Sequence, residues 1–217
     1  MSELDGPRIA PRRGPAKQLV VFLHGYGANG DDLIEIGRIW QQWMPETAFV
    51  APHAPDAVPM APAGRQWFPL TMRDPSEYWR GVAAAGPGLG EFLDAELVRH
   101  GLEDRRMALV GFSQGTMMAL HVGLRRARAP AAIIGYSGML AGPEQLPREI
   151  KAKPPVLLIH GEEDAVIPVA ALKVAREALA NAAVPVQWHI SAGLGHGIDE
   201  VGLRQGGEFL VQSFAAG

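Results

Sequence analysis

The chain has 217 residues, of which 47% are apolar and 20% charged, with a formal net charge of −3. These values suit one α/β domain with a sizeable core, and they offer neither a basic face for nucleic acid nor an acidic tail. There is no cysteine, which excludes disulfides, thiolate metal sites and a cysteine nucleophile and fits a reducing, cytoplasmic setting.

Residues 1–16 (MSELDGPRIAPRRGPA) carry charge and proline without the apolar run of a signal peptide, and are expected as a flexible arm before a single domain spanning 17–217. Gln18–Leu23 (QLVVFL) reads as a buried strand. Asp31 or Asp32 then caps a helix to about Trp43, and Thr47–Ala51 is a second strand stopped by Pro52. The proline-rich stretch from Pro52 to about Tyr78 is expected to run irregularly over the sheet edge. A helix ends near His100, with Gly86-Pro87-Gly88 marking an irregularity or its true start. Strands at 106–110, 131–136, 156–160 and 186–190 alternate with helices at 113–126, 168–181 and 199–214. About six strand–helix repeats predict a mostly parallel sheet with helices on both faces. The longest apolar runs are strand-length, so no stable membrane insertion is expected.

Gly111-Phe112-Ser113-Gln114-Gly115 fits G-x-S-x-G between a strand and a helix. In that context the motif forms a tight turn that lifts the serine hydroxyl out of the sheet. Glycines at 111 and 115 keep Cβ atoms away from the neighbouring backbone. Ser113 as a mere helix cap does not explain glycine on both sides. At a helix N-terminus, an oxyanion formed on an acyl carbon would meet the N–H of Gln114.

A serine nucleophile needs a base, and the base needs a carboxylate to orient it. His196 lies in a glycine-rich loop, GLGHG, between the last strand and the last helix, where an imidazole can reach the strand ends. His53 and His160 flank strand ends and are weaker alternatives; His100 and His121 fall within helices, and His189 in a strand. After the strand PVLLIH, Asp164 is favoured as the acid over Glu162 and Glu163, with Asp199 as a rival that looks like a helix N-cap. The order Ser113, Asp164, His196 is the one found in α/β-hydrolases.

The glycine-rich loop after the first strand, HGYGANG, is placed to supply a second oxyanion donor, the backbone N–H of Tyr26, with Gly25 as fallback. No Gly-Lys-Ser/Thr follows, so the loop is not a phosphate cradle. His24 and His53 lack the further ligands that zinc requires. Trp67, Phe68 and Met72, in the irregular stretch, are expected to line an apolar acyl pocket. A small-molecule ester is the expected substrate. A peptidase or amidase on the same fold, and a catalytically dead binding protein, are the rival readings.

LHGYGANGDDL, QWFPL, GFSQGTMMAL, HGEEDAVIPV and GLGHGID together resemble the phospholipase/carboxylesterase family, which includes the acyl-protein thioesterases. The resemblance runs from about Lys17 to Phe214. It implies an α/β-hydrolase fold without a separate cap domain, no cofactor or metal, and hydrolysis of esters with short to medium acyl chains. Some members act on thioesters or lysophospholipids, and some form homodimers. The family's triad pattern carries over to Ser113, Asp164 and His196, and its oxyanion donors to the N–H groups of Tyr26 and Gln114. The family often has leucine where this chain has Tyr26, and its segment matching Pro55–Tyr78 is commonly shorter.

Overall fold

The computed structural model describes residues 4–59, 61–71, 74 and 76–216. Its main sheet has seven strands in the spatial order β1 (Arg8–Ile9), β3 (Thr47–Val50), β2 (Gln18–Leu23), β6 (Met107–Phe112), β7 (Ala132–Tyr136), β8 (Val156–Gly161) and β9 (Val186–Ser191). Every pairing is parallel except that of β1 with β3. A separate antiparallel pair, β4 (Asp56–Val58) and β5 (Ala61–Gln66), occupies part of the stretch expected to be irregular.

Alternation along the buried strands sorts the core into two layers. Leu19, Val21 and Leu23 face one layer, together with Met107 and Leu109. Val20 and Phe22 face the other, with Ala108 and Val110. The first layer is covered by α2 (Ser76–His100), α3 (Gln114–Gly123) and α5 (Ala170–Asn181), through residues such as Leu93, Met118 and Leu172. The second is covered by α1 (Gly30–Trp40) and α6 (Glu200–Ala216), through Ile34, Trp40, Phe209 and Leu210. The Trp40 indole N–H donates to the Leu203 carbonyl at 3.1 Å and joins those two helices. This is the α/β-hydrolase arrangement, with helices on both faces of a mostly parallel sheet. Between β7 and β8 the chain forms only a 3₁₀ turn at Pro143–Gln145 and the short α4 (Leu146–Glu149).

The N-terminal segment expected to be loose is instead tied along the sheet edge. Arg8–Ile9 pair with Val50 and Phe49, and the Ala51 and His53 N–H groups donate to the carbonyls of Pro7 and Asp5. Arg8 also reaches the carboxylate of Glu96, 2% exposed on α2, at 2.8 Å. A buried carboxylate needs such a partner, and the pairing fixes the segment. Nor does α2 start at Gly86-Pro87-Gly88. It runs through them for 25 residues, because its buried stripe (Val82, Leu89, Phe92, Leu93, Leu97) continues on both sides of Pro87. Tertiary burial outweighs the hydrogen bond that the proline removes.

The order of the strands also fixes where a ligand can sit. From β2 the chain moves outward to β3, and it later returns to β6 on the other side of β2. The crevice beyond the carboxyl ends of β2 and β6 is therefore the topological switch point, where open α/β sheets bind ligands. The loop 24–29 and Ser113 emerge there.

Arg8→Ala is expected to leave Glu96 paired with Arg99 but short of its main hydrogen-bond donors. The expected loss is about 1–3 kcal/mol of unfolding free energy, measured as a lower urea midpoint with an unchanged slope.

Candidate active site

Ser113 follows β6 with φ 55° and ψ −116°, a left-handed conformation uncommon for a residue with a side chain. The turn is held by hydrogen bonds: the Ser113 N–H donates to the Tyr136 carbonyl at 2.9 Å, and the Thr116 hydroxyl lies 2.9 Å from the carbonyls of both Gly111 and Tyr136. The flanking glycines are steric necessities. A Cβ on Gly111 would lie 2.4 Å from Gly115 backbone, and one on Gly115 would lie 1.8 Å from the Leu23 carbonyl oxygen.

The three residues singled out from the sequence are brought together. His196 Nε2 lies 3.0 Å from Ser113 Oγ, and His196 Nδ1 lies 2.7 Å from Asp164 Oδ2. The other Asp164 oxygen accepts the N–H groups of Val166 and Ile167 at 2.9 Å each. Burial opposes ionisation of this carboxyl, but the hydrogen bonds from His196, Ile167 and Val166 outweigh it and hold Asp164 below the usual carboxylate range. An ionised acceptor on that side assigns the proton to His196 Nδ1 and leaves Nε2 free to accept from the serine hydroxyl. The Phe112 ring stands 4.9 Å from the imidazole, tilted by 50°. A Cβ on Gly161 would lie 2.1 Å from the Gly195 carbonyl oxygen, so the acid-bearing and histidine-bearing loops touch. Asp199, the rival acid, accepts the Gly202 N–H at 2.7 Å and caps α6.

The loop after β2 passes beside the nucleophile: a Cβ on Gly25 would meet Ser113 Cβ at 3.2 Å and the Phe112 ring at 3.1 Å. The loop is pinned to β5, with Gly27 N–H donating to Arg65 and Arg65 N–H to Ala28 at 2.9 and 2.8 Å. Tyr26 itself is 43% exposed, and its N–H makes no hydrogen bond to another described residue. Gln114 is the first residue of α3, so its N–H has no acceptor one turn back.

The side chain of Gln114 has a role that the sequence reading missed. Its Oε1 accepts the Trp67 N–H and its Nε2 donates to the Phe68 carbonyl, both at 2.8 Å. The Trp67 indole N–H donates to the His24 carbonyl at 2.9 Å, and His24 Nε2 accepts the Ala54 N–H at 2.9 Å. Trp67 and Phe68 line the cavity of about 860 Å³ along α2, which Ser113, Asp164 and His196 do not line. Each is 2% exposed and belongs to the core, because its polar backbone atoms find partners in the interior. Met72 lies outside the described residues. Cavities of about 690 and 860 Å³ lie along α2, and neither is lined by Ser113, Asp164 or His196. Among the described residues, no group of three or more His, Asp or Glu side chains is arranged to hold a metal ion. None of the described helices is long and apolar enough to cross a membrane.

Residues 4–213 match the family model described as phospholipase/carboxylesterase. The chain belongs to the phospholipase/carboxylesterase family. Among the relatives of this family member, esterase YpfH of Escherichia coli (strain K12) is 33% identical over 186 residues, covering 85% of this chain and 78% of the relative. Acyl-protein thioesterase 1 of Gibberella zeae is 30% identical over 213 residues, covering 89% and 91%. The crystal structure of esterase PE8 superposes with a TM-score of 0.94 at 43% identity, covering 97% of this chain and 99% of that one. The chain is thus a hydrolase of an esterase and acyl-protein thioesterase family.

Burial pushes His24 down from 6.5 to about 4, so the folded protein holds it neutral. The unfolded chain takes up a proton below about 6.5, the folded protein only near 4. Stability is therefore complete above about pH 6.5 and falls as pH drops towards 4, by up to about 3 kcal/mol from this residue. The measurement is the urea midpoint across that window. His24→Gln is expected to start from a lower midpoint at pH 7 and to show a shallower decline.

Proposed function

We propose that this protein is a serine carboxylesterase that works through a covalent acyl-enzyme. The observation that carries the reading is the unbroken hydrogen-bonded series from Ser113 Oγ through the His196 imidazole to Asp164, at 3.0 and 2.7 Å. In the first half-reaction His196 Nε2 takes the Ser113 proton as Oγ attacks the ester carbonyl. The C–Oγ bond forms, and the carbonyl π electrons move to oxygen, where the N–H groups of Tyr26 and Gln114 receive the charge. Asp164 stabilises the imidazolium that results. Collapse of the tetrahedral species breaks the bond to the alcohol oxygen, which leaves with the proton from His196. Water then attacks the acyl-enzyme with the same base, releasing the carboxylic acid and restoring the serine.

Esters with short to medium acyl chains are the proposed substrates. A second reading, acyl thioester hydrolysis at the same site, is favoured by the 30% identity to acyl-protein thioesterase 1 of Gibberella zeae. A thiolate leaves without needing a proton, so the two activities differ in how far they depend on His196 as an acid.

Ser113→Ala and His196→Ala are each expected to lower kcat on p-nitrophenyl butyrate by at least about 10³-fold, and Ser113→Ala to abolish labelling by a fluorophosphonate probe. Near-full hydrolysis by Ser113→Ala would refute the mechanism. A matched panel of ester, thioester and amide substrates over a series of acyl lengths is expected to give the highest kcat/KM on an ester. A thioester preferred by more than about tenfold, equivalent to 1.4 kcal/mol of transition-state binding, would move the assignment to thioesterase.

A further inference from the structure

Three residues other than glycine adopt a positive φ among those described: Ser113, Ser137 and Ala183. Ser113 is the proposed nucleophile, and Ala183 lies in the turn that ends α5. Ser137, with φ 44°, lies immediately after β7 and is completely buried. Buried backbone held in a sparsely populated conformation persists only where the surroundings fix it, and such positions cluster at functional sites. A glycine would adopt this φ without strain. The serine is therefore expected to be there for its hydroxyl.

That hydroxyl donates to the carbonyl of Gly197, the residue directly after His196, at 3.1 Å. The neighbours of Ser137 are committed to the nucleophile turn. The Tyr136 carbonyl accepts the Ser113 N–H, and a Cβ on Gly138 would lie 2.9 Å from the Ser113 carbonyl oxygen. The Ser137 N–H in turn donates to the Ile159 carbonyl of β8 at 2.8 Å. One short segment therefore touches the nucleophile turn on one side and the histidine loop on the other. Upstream, that loop is joined to the acid-bearing loop by the Glu163 N–H donating to Leu194 at 2.9 Å. Downstream of His196, the Ser137 hydroxyl holds it.

We infer that Ser137 is a positioning residue, whose hydroxyl fixes the Gly197 carbonyl and so sets the distance between His196 Nε2 and Ser113 Oγ. It touches neither substrate nor reacting atoms. The inference rests on the proposed roles of Ser113 and His196. Loss of the contact frees the loop without altering the substrate-binding surface, so its effect falls on the chemical step.

Two substitutions separate the hydroxyl from the backbone. Ser137→Gly removes the hydroxyl and relieves the strained φ; Ser137→Ala removes the hydroxyl and keeps the conformation. Both are expected to lower kcat on p-nitrophenyl butyrate about tenfold, the scale of a sub-ångström misplacement of the base, with KM within about twofold of wild type. Fluorophosphonate labelling is expected to slow by a similar factor, with rates normalised to folded protein by circular dichroism. Wild-type kcat in Ser137→Gly, or a loss carried by KM alone, would overturn the inference, and Ser137→Gly decides it if Ser137→Ala does not fold. Ser113→Ala, run alongside, tests the underlying reading. Labelling retained there removes the nucleophile itself, whereas an inert Ser113→Ala with wild-type kcat in Ser137→Gly removes only the role of Ser137.

Discussion

The close approach of α3 to the strand pair β2–β6 is the constraint on which the site depends. The N-terminal turn of α3 sits so near the carboxyl ends of these strands that one methyl group at Gly111 or Gly115 would overlap backbone atoms. Because the helix starts that close, the residue between the glycines has to turn through a left-handed φ. A serine hydroxyl then rises above the sheet edge instead of packing into it. The same closeness brings the first N–H groups of the helix to the side on which the β2 loop runs.

Around this turn, parallel strands work as a positioning device. Each strand ends at the same edge, so residues far apart along the chain arrive together: the glycine-rich loop after β2, Ser113 after β6, Ser137 after β7, Asp164 after β8 and His196 after β9. The sheet itself contributes no chemistry. It provides rigid starting points, buried on both faces, from which short loops can hold polar groups in place. The electrostatics follow from the same layout, since the carboxylate of Asp164 is satisfied by its own loop as well as by the imidazole.

Much of this arrangement was legible in the sequence because it depends on local signals. Buried strands such as QLVVFL are continuous apolar runs, and GFSQG marks its own turn through the paired glycines. What escaped notice depends on partners distant in the chain. A two-residue strand such as Arg8–Ile9 is too short to show a period, and its order comes from partners far along the chain, the edge of β3 and the carboxylate of Glu96, 88 residues away. An aromatic pair such as Trp67-Phe68 in a proline-rich loop suggests a pocket wall, but the sequence does not show which cavity the pair lines. Their inward orientation is set by His24 and Gln114, 43 and 47 residues away from Trp67. Ser137 gave no signal at all, since Tyr-Ser-Gly after a strand does not reveal a positive φ.

Gln114 carries two duties on one residue. Its backbone N–H, at the first position of α3, has no acceptor within the helix, while its carboxamide is spent at both ends on the main chain of Trp67 and Phe68. Only a side chain with one donor and one acceptor at that reach satisfies both contacts; glutamate would offer no donor and lysine no acceptor. The Trp67–Phe68 segment is thereby bolted to the first turn of α3. Because the Trp67 indole is also tied to the His24 carbonyl, this segment cannot shift without straining both the β2 loop and the start of α3.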